Sequence, residues 1–321
     1  MTKLGKFVLR VAMICIGILA LTTASIAIGF YTVFYFPNRT TATPGTVVSS
    51  GHVREYLLYV PPKLDRTRPA PLVISLHAAM SWPSSQMHFS QWNRVADQHG
   101  FIVVYPAGTG DGPKTWFMEG RRTPSRMPDV LFISDLIDLL EESYRIDPAR
   151  VYVDGLSNGG GMAFALSCTL SGRIAAVGMV AAARSLDWTW CTDRRPVPSI
   201  AFHGTADPVA PFAGGRTPVG PDVFPGVLPF TAGWARRNQC RSGPTETVVA
   251  SKVTRVLYTG CAGNADVILF TLTGAGHQWP GGERLPEILV GPYSRSIDAT
   301  AEMWDFFRAH PLSHPEPLNG D

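Results

Sequence analysis

Three glycine-framed turns carry a serine, an aspartate and a histidine in that order along the chain: Gly155-Leu156-Ser157-Asn158-Gly159, His203-Gly204-Thr205-Ala206-Asp207 and Gly274-Ala275-Gly276-His277. A hydroxyl becomes a useful nucleophile when a base within hydrogen-bond reach takes its proton. An imidazole serves as that base when a carboxylate fixes its tautomer and stabilises the imidazolium. The apolar run Val151-Tyr152-Val153 precedes the serine and a helix-forming run follows it. G-x-S-x-G therefore reads as a strand, a sharp turn and a helix, with Ser157 exposed at the tip. The helix N-terminus would stabilise negative charge developing beside Ser157, with the Asn158 N–H as one oxyanion donor. A second donor is expected from the turn after an earlier strand, at Ala78 or Ala79. Asp207 and His277 each follow a strand-like run, which makes them the acid and the base. His203 precedes the acid and reads as a satisfied strand-end histidine. Such a set performs acyl transfer through an acyl-enzyme.

The elements that must hold these turns are strands alternating with helices. Leu72 to Leu76, Phe101 to Tyr105, Ile174 to Val180, Pro198 to Phe202 and Val267 to Leu272 are apolar runs of buried-strand type. Ser84 to His99, Asp129 to Arg145 and Ala299 to His310 carry apolar residues at helical spacing. Arg54 to Val60 alternates like a first strand, and Thr247 to Val249 with Val253 to Tyr258 would form a hairpin or continue the sheet. This pattern predicts an α/β fold, a mostly parallel central sheet with helices on both faces. The long polar stretch from Ala107 to Pro128 reads as a functional loop with Trp116-Phe117 at its middle.

The chain has 321 residues and a formal net charge of +3, with no long basic run, which gives no electrostatic case for nucleic acid. Eight scattered histidines, and no H-E-x-x-H or paired C-x-x-C, argue against a metal site, and no cofactor is implied. Residues 1–10 are a short basic segment, expected on the cytoplasmic side. Val11 to Phe36 carries no charged side chain, and as a helix it would reach about 39 Å, enough to cross a hydrocarbon core of about 30 Å. It is expected as an uncleaved membrane anchor, with a cleaved signal peptide as the alternative. Either leaves the catalytic part outside the cytoplasm, anchored or secreted. Residues 37–51 read as a linker with a glycosylation sequon at Asn38, residues 52–312 as the catalytic domain, and 313–321 as a tail.

From Arg54 to Phe307 the chain resembles the polyhydroxybutyrate depolymerase and feruloyl esterase group of α/β hydrolases. The resemblance rests on the paired Asp129-Val130 helix start, Ile146-Asp147-Pro148-Ala149-Arg150-Val151-Tyr152-Val153, Gly155-Leu156-Ser157-Asn158-Gly159-Gly160, His203-Gly204-Thr205-Ala206-Asp207 and Gly276-His277-Gln278-Trp279-Pro280-Gly281-Gly282. It implies the triad that chain order gives: Ser157, Asp207 and His277. It implies a serine carboxylesterase acting on hydroxyalkanoate oligomers or similar small esters, with feruloyl or acetylxylan ester hydrolysis as an alternative. A catalytically silent binding protein on the same fold is the competing class. Where the group has Leu-His-Gly this chain has Leu76-His77-Ala78-Ala79, and an alanine at positive φ would cost about 1 kcal/mol, so this turn is expected to be reshaped. Four cysteines, Cys168, Cys191, Cys240 and Cys261, allow three pairings. The family pattern and short loops favour Cys168 with Cys191 and Cys240 with Cys261. Trp279 and Trp116, with His77, are expected to line the substrate pocket, because indole walls suit an apolar or flat acyl group.

Overall fold

A computed structural model describes residues 10–23, 40–117, 127–182, 188, 191, 193, 195–217 and 223–313. Residues 10–23 are helical (α1). The body then runs β1 (Thr43–Ser49), β2 (His52–Tyr59), β3 (Ala70–Leu76), α2 (Pro83–Ser90), α3 (Trp92–His99), β4 (Ile102–Pro106), α4 (Pro128–Ser143), β5 (Ile146–Leu156) and α5 (Asn158–Ser167). It continues through β6 (Ala176–Val180), β7 (Ser199–Gly204), the short β8 (Gly215–Arg216) and β9 (Val223–Phe224), and α6 (Val227–Arg237). β10 (Ser242–Ala250), β11 (Val253–Thr259), β12 (Val267–Leu272), α7 (Glu287–Val290) and α8 (Ala299–Ala309) complete it.

One ten-stranded sheet has the order β1-β2-β4-β3-β5-β6-β7-β12-β11-β10. Its six central strands, β4 to β12 in that order, are parallel, and an antiparallel pair extends each side. β3 is buried along its whole length, which explains its unbroken apolar run. Leu72, Ile74 and Leu76 pack with α4, α5 and α6 on one face, whereas Val73 packs with α2, α3 and α8 on the other. Because these strands are parallel, the turns after β3, β5, β7 and β12 all open at one edge of the sheet. Ala78, Ser157, Asp207 and His277 lie in those turns.

Four expectations change. Thr43–Ser49, read as linker, is strand β1, because Val47 and Val48 sit in an antiparallel register with Arg54 and Val53. Ser84 to His99 is two helices, since Gln91 adopts φ 59° and breaks the run between α2 and α3. β8, β9, α6 and α7 were not foreseen. Finally, no described helix is long and apolar enough to cross a membrane. Residues 24–36 of the expected anchor, Asn38, the segment 1–9 and the tail from 314 onward lie outside the described residues.

Cys168 pairs with Cys191, and Cys240 with Cys261. With sequence separations of 23 and 21, each closed loop contributes about 3 kcal/mol in the chain-entropy model. The first bridge clips the C-terminal end of α5. The second joins the segment after α6 to the segment after β11.

Candidate active site

Ser157 sits between β5 and α5 with φ 55° and ψ −115°, a conformation that strains any residue with a Cβ. Its N–H donates to the Val180 carbonyl at the end of β6 (2.9 Å), and its hydroxyl makes no capping bond to the helix it begins. The neighbouring glycines are required by close approach. A Cβ on Gly155 would overlap the Gly159 backbone, and one on Gly159 would overlap the Leu76 and His77 carbonyls. The first turn of α5 is thereby pressed against the turn after β3. As the first residue of α5, Asn158 has an N–H with no intrahelical acceptor.

The turn after β3 is fixed by a bonded chain. His77 is buried: its Nε2 accepts the Gly108 N–H (3.0 Å), so Nδ1 carries the proton and donates to the Ala78 carbonyl (2.7 Å). Burial draws its pKa down to about 4, the Ala78 bond opposing and Lys114 assisting, so the ring is neutral. Trp116 Nε1 donates to the His77 carbonyl (2.9 Å). The Asn158 side chain clamps Trp116 from both sides, accepting its N–H (2.8 Å) and donating to its carbonyl (3.2 Å). Asp129 completes the frame, accepting from Phe117 N–H (2.8 Å), Thr109 Oγ1 (3.0 Å) and Arg54 Nη2 (2.7 Å). Positive φ in this turn falls on Met80 (53°), not on Ala78 or Ala79, so the alanines cost no strain of the kind expected.

Asp207 and His277 meet directly. Asp207 Oδ1 accepts the N–H groups of Val209 (2.8 Å) and Ala210 (2.7 Å), and Oδ2 accepts His277 Nδ1–H (2.8 Å). Burial alone would raise the Asp207 pKa, but the His277 hydrogen bond and charge, helped by His203 and Ala210, hold it below the ordinary carboxylate value. With its proton on Nδ1, His277 keeps Nε2 as an acceptor. Both side chains are largely buried, so this pair acts with little competition from water.

The expected aromatic walls are not there. Trp116 and Trp279 are each 1% exposed and His77 is wholly buried, because each ring is drawn into a bonded interior position. Trp279 Nε1 donates to Thr300 Oγ1 (2.9 Å), which ties the His277 loop to α8. The exposed apolar side chains beside the turn are instead Met80 and Phe117. They stand on segments joined by the Ser81–Lys114 bridge and by the Met80 N–H bond to Thr115 Oγ1 (3.2 Å). Sequence reasoning missed Asp129 as the hub of this frame; an acid at the start of a helix facing an earlier arginine was the available signal. Among the described residues no group of histidine, cysteine or acidic side chains could hold a metal.

Asp154, on β5 three residues before Ser157, is fully buried without a cationic partner. Its Oδ1 accepts from Ser75 Oγ (2.8 Å), which in turn accepts from Gln86 Nε2 (2.9 Å). Burial pushes its pKa from 3.8 to about 8, with Ser75 and Trp92 opposing. The folded state thus holds this proton more tightly than the unfolded chain does. The stabilisation is fully present below the unfolded value and is lost as pH rises from about 4 towards about 8. Asp154→Asn, which mimics the protonated acid, should leave the unfolding midpoint nearly unchanged at pH 4 and raise it at pH 8. Equal shifts at both pH values would show that Asp154 is ionised in the fold.

Residues 54–185 match the family model for esterase PHB depolymerase. The protein NocK of Nocardia uniformis subsp. tsuyamanensis is 30% identical over 83% of this chain and 82% of its own. Feruloyl esterase B of Piromyces equi is 31% identical over 70% of this chain, which spans 42% of that relative's length. Among solved structures, an acetyl xylan esterase from Aspergillus awamori has the same fold, with a TM-score of 0.61 at 16% identity over 83% of this chain and 99% of that one. NocK, alike over most of both chains, and the match to the depolymerase model show that the chain belongs to the PHB depolymerase and feruloyl esterase family, and that it is a carboxylic ester hydrolase.

Proposed function

We propose that the chain hydrolyses small soluble esters through an acyl-enzyme on Ser157. The observation that carries this is the strained, uncapped Ser157 at the sheet edge where Asp207 and His277 are hydrogen-bonded. His277 Nε2 takes the Ser157 proton as Oγ bonds to the ester carbonyl carbon, and the oxyanion is held by the N–H of Asn158 and of Ala78 or Ala79. Collapse breaks the bond to the alcohol oxygen, which leaves with the proton from His277. Water then enters by the same route: His277 takes its proton, the acyl–Ser157 bond breaks, and the serine is reprotonated. Asp207 stays ionised throughout and stabilises the imidazolium.

Exposed Met80 and Phe117 support an apolar acyl group of modest size, with hydroxyalkanoate oligomers among the substrates. Hydroxycinnamoyl or acetyl esters are a second reading, favoured by the likeness to feruloyl esterase B. The two disulfides support an oxidising, extracytoplasmic site of action. Rapid mixing with a p-nitrophenyl ester should release a burst of one nitrophenol per active site, and a panel of hydroxybutyrate dimer, methyl ferulate, acetylated xylan and crystalline polyester should rank soluble esters above the polymer. Absence of a burst together with an unlabelled Ser157 after phosphonate treatment would overturn the acyl-enzyme. Crystalline polyester cleaved as fast as the dimer would overturn the substrate class.

A further inference from the structure

His203 reads from sequence as a satisfied strand-end residue, yet its ring lies against the acid. Its Nε2 is 2.8 Å from the Ala210 carbonyl and 3.4 Å from Asp207 Oδ2, the same oxygen that accepts from His277. Both neighbours of Nε2 are acceptors, so Nε2 carries the proton and donates it to the Ala210 carbonyl, with Asp207 Oδ2 in close electrostatic contact. The side chain is 1% exposed, set at the end of β7 beside the Phe212 ring. Burial lowers its pKa, and His277 adds to this against the opposing pull of Asp207 and Ala210, which favours the neutral ring. Neutrality matters here. A second cation on Asp207 would cancel the charge that stabilises the His277 imidazolium, whereas a neutral N–H orients the carboxylate without discharging it.

The Asp207 carboxylate is thus held at both oxygens: two backbone N–H groups fix Oδ1, and His203 flanks Oδ2. Free rotation of the acid would misdirect the bond to Nδ1 and release the His277 tautomer. We propose that His203 is a positioning residue for catalysis: its neutral Nε2–H holds the carbonyl of Ala210, whose N–H fixes Asp207 Oδ1, and lies against Oδ2, so that the acid presents one fixed oxygen to His277. This rests on Ser157, Asp207 and His277 being the catalytic set.

A glutamine amide can place its nitrogen near the position of histidine Nε2, whereas an asparagine amide reaches only the Nδ1 position. His203→Leu and His203→Asn should each lower kcat by about 10- to 100-fold with KM within about twofold, and His203→Gln should recover most of the rate. In an Asp207→Asn background His203→Leu should cause almost no further loss, because there is no carboxylate left to position. Equal rates for the glutamine and asparagine variants, or a full additional loss on top of Asp207→Asn, would overturn the proposal even if the leucine variant fails to fold. Ser157→Ala is measured alongside. If that variant stays active the catalytic set itself is wrong, whereas an inactive Ser157→Ala with a wild-type rate in His203→Asn removes only the role of His203.

Discussion

Ser157→Ala or His277→Ala should lower kcat/KM for an activated ester by about 10⁴-fold or more, and Ser157→Ala should keep the urea unfolding midpoint close to that of the wild type. The size follows from the way the three side chains act as one unit. Without the hydroxyl no acyl bond can form, and without the imidazole the hydroxyl keeps its proton. Double replacement should cost little more than either single change. Stability should be preserved for a separate reason: the Ser157 hydroxyl makes no capping bond, so removing it takes away no helix support. A φ of 55° is equally strained for alanine and serine, so the turn neither gains nor loses. Ser157→Gly should be inactive yet more stable, because glycine relieves that strain. Initial rates for the single and double variants, and urea titrations of Ser157→Ala and Ser157→Gly against the wild type, check this. Substantial esterase activity in purified Ser157→Ala would remove Ser157 as nucleophile.

The sheet and the three turns were legible because their signals are local. A buried parallel strand is a short apolar run, and β3, β4, β7 and β12 all read that way. G-x-S-x-G carries its own steric explanation, since the space that excludes a Cβ at Gly155 and Gly159 is filled by backbone close by or from the adjoining turn. β1 was not legible. Its exposure pattern is mostly solvent-facing, as an edge strand permits, and polar edge strands look like linkers until their partner is known. The break at Gln91 was hidden for a similar reason. One residue at positive φ divides a run whose apolar spacing alone supports a single helix. The side-chain frame was least visible: Asp129 meets Arg54 across 75 positions of sequence, and Asn158 meets Trp116 across 42.

The indoles show how a plausible site residue can be a core residue, and they lead to the second large effect. Trp279→Ala should destabilise the fold by about 3–5 kcal/mol, measured as a fall in the urea midpoint, while KM for small esters in the protein that remains folded stays within about twofold. Its ring is 1% exposed, packed in the cluster that holds Phe89, Leu285, Met303 and Phe307. Its Nε1 donates to Thr300 Oγ1, and that hydroxyl donates onward to the Ser90 carbonyl, so one side chain joins the His277 loop, α8 and the end of α2. Alanine therefore leaves a cavity and also strips Thr300 of a buried donor. Trp279→Phe should recover the packing but not the hydrogen bond, with a loss of about 1–2 kcal/mol. Because Trp279 lies two residues after His277, kcat should fall in the alanine variant through a loosened base. KM should not follow, since the ring is enclosed rather than facing substrate. An unchanged urea midpoint with a raised KM would instead place the indole in the substrate pocket and reverse the assignment.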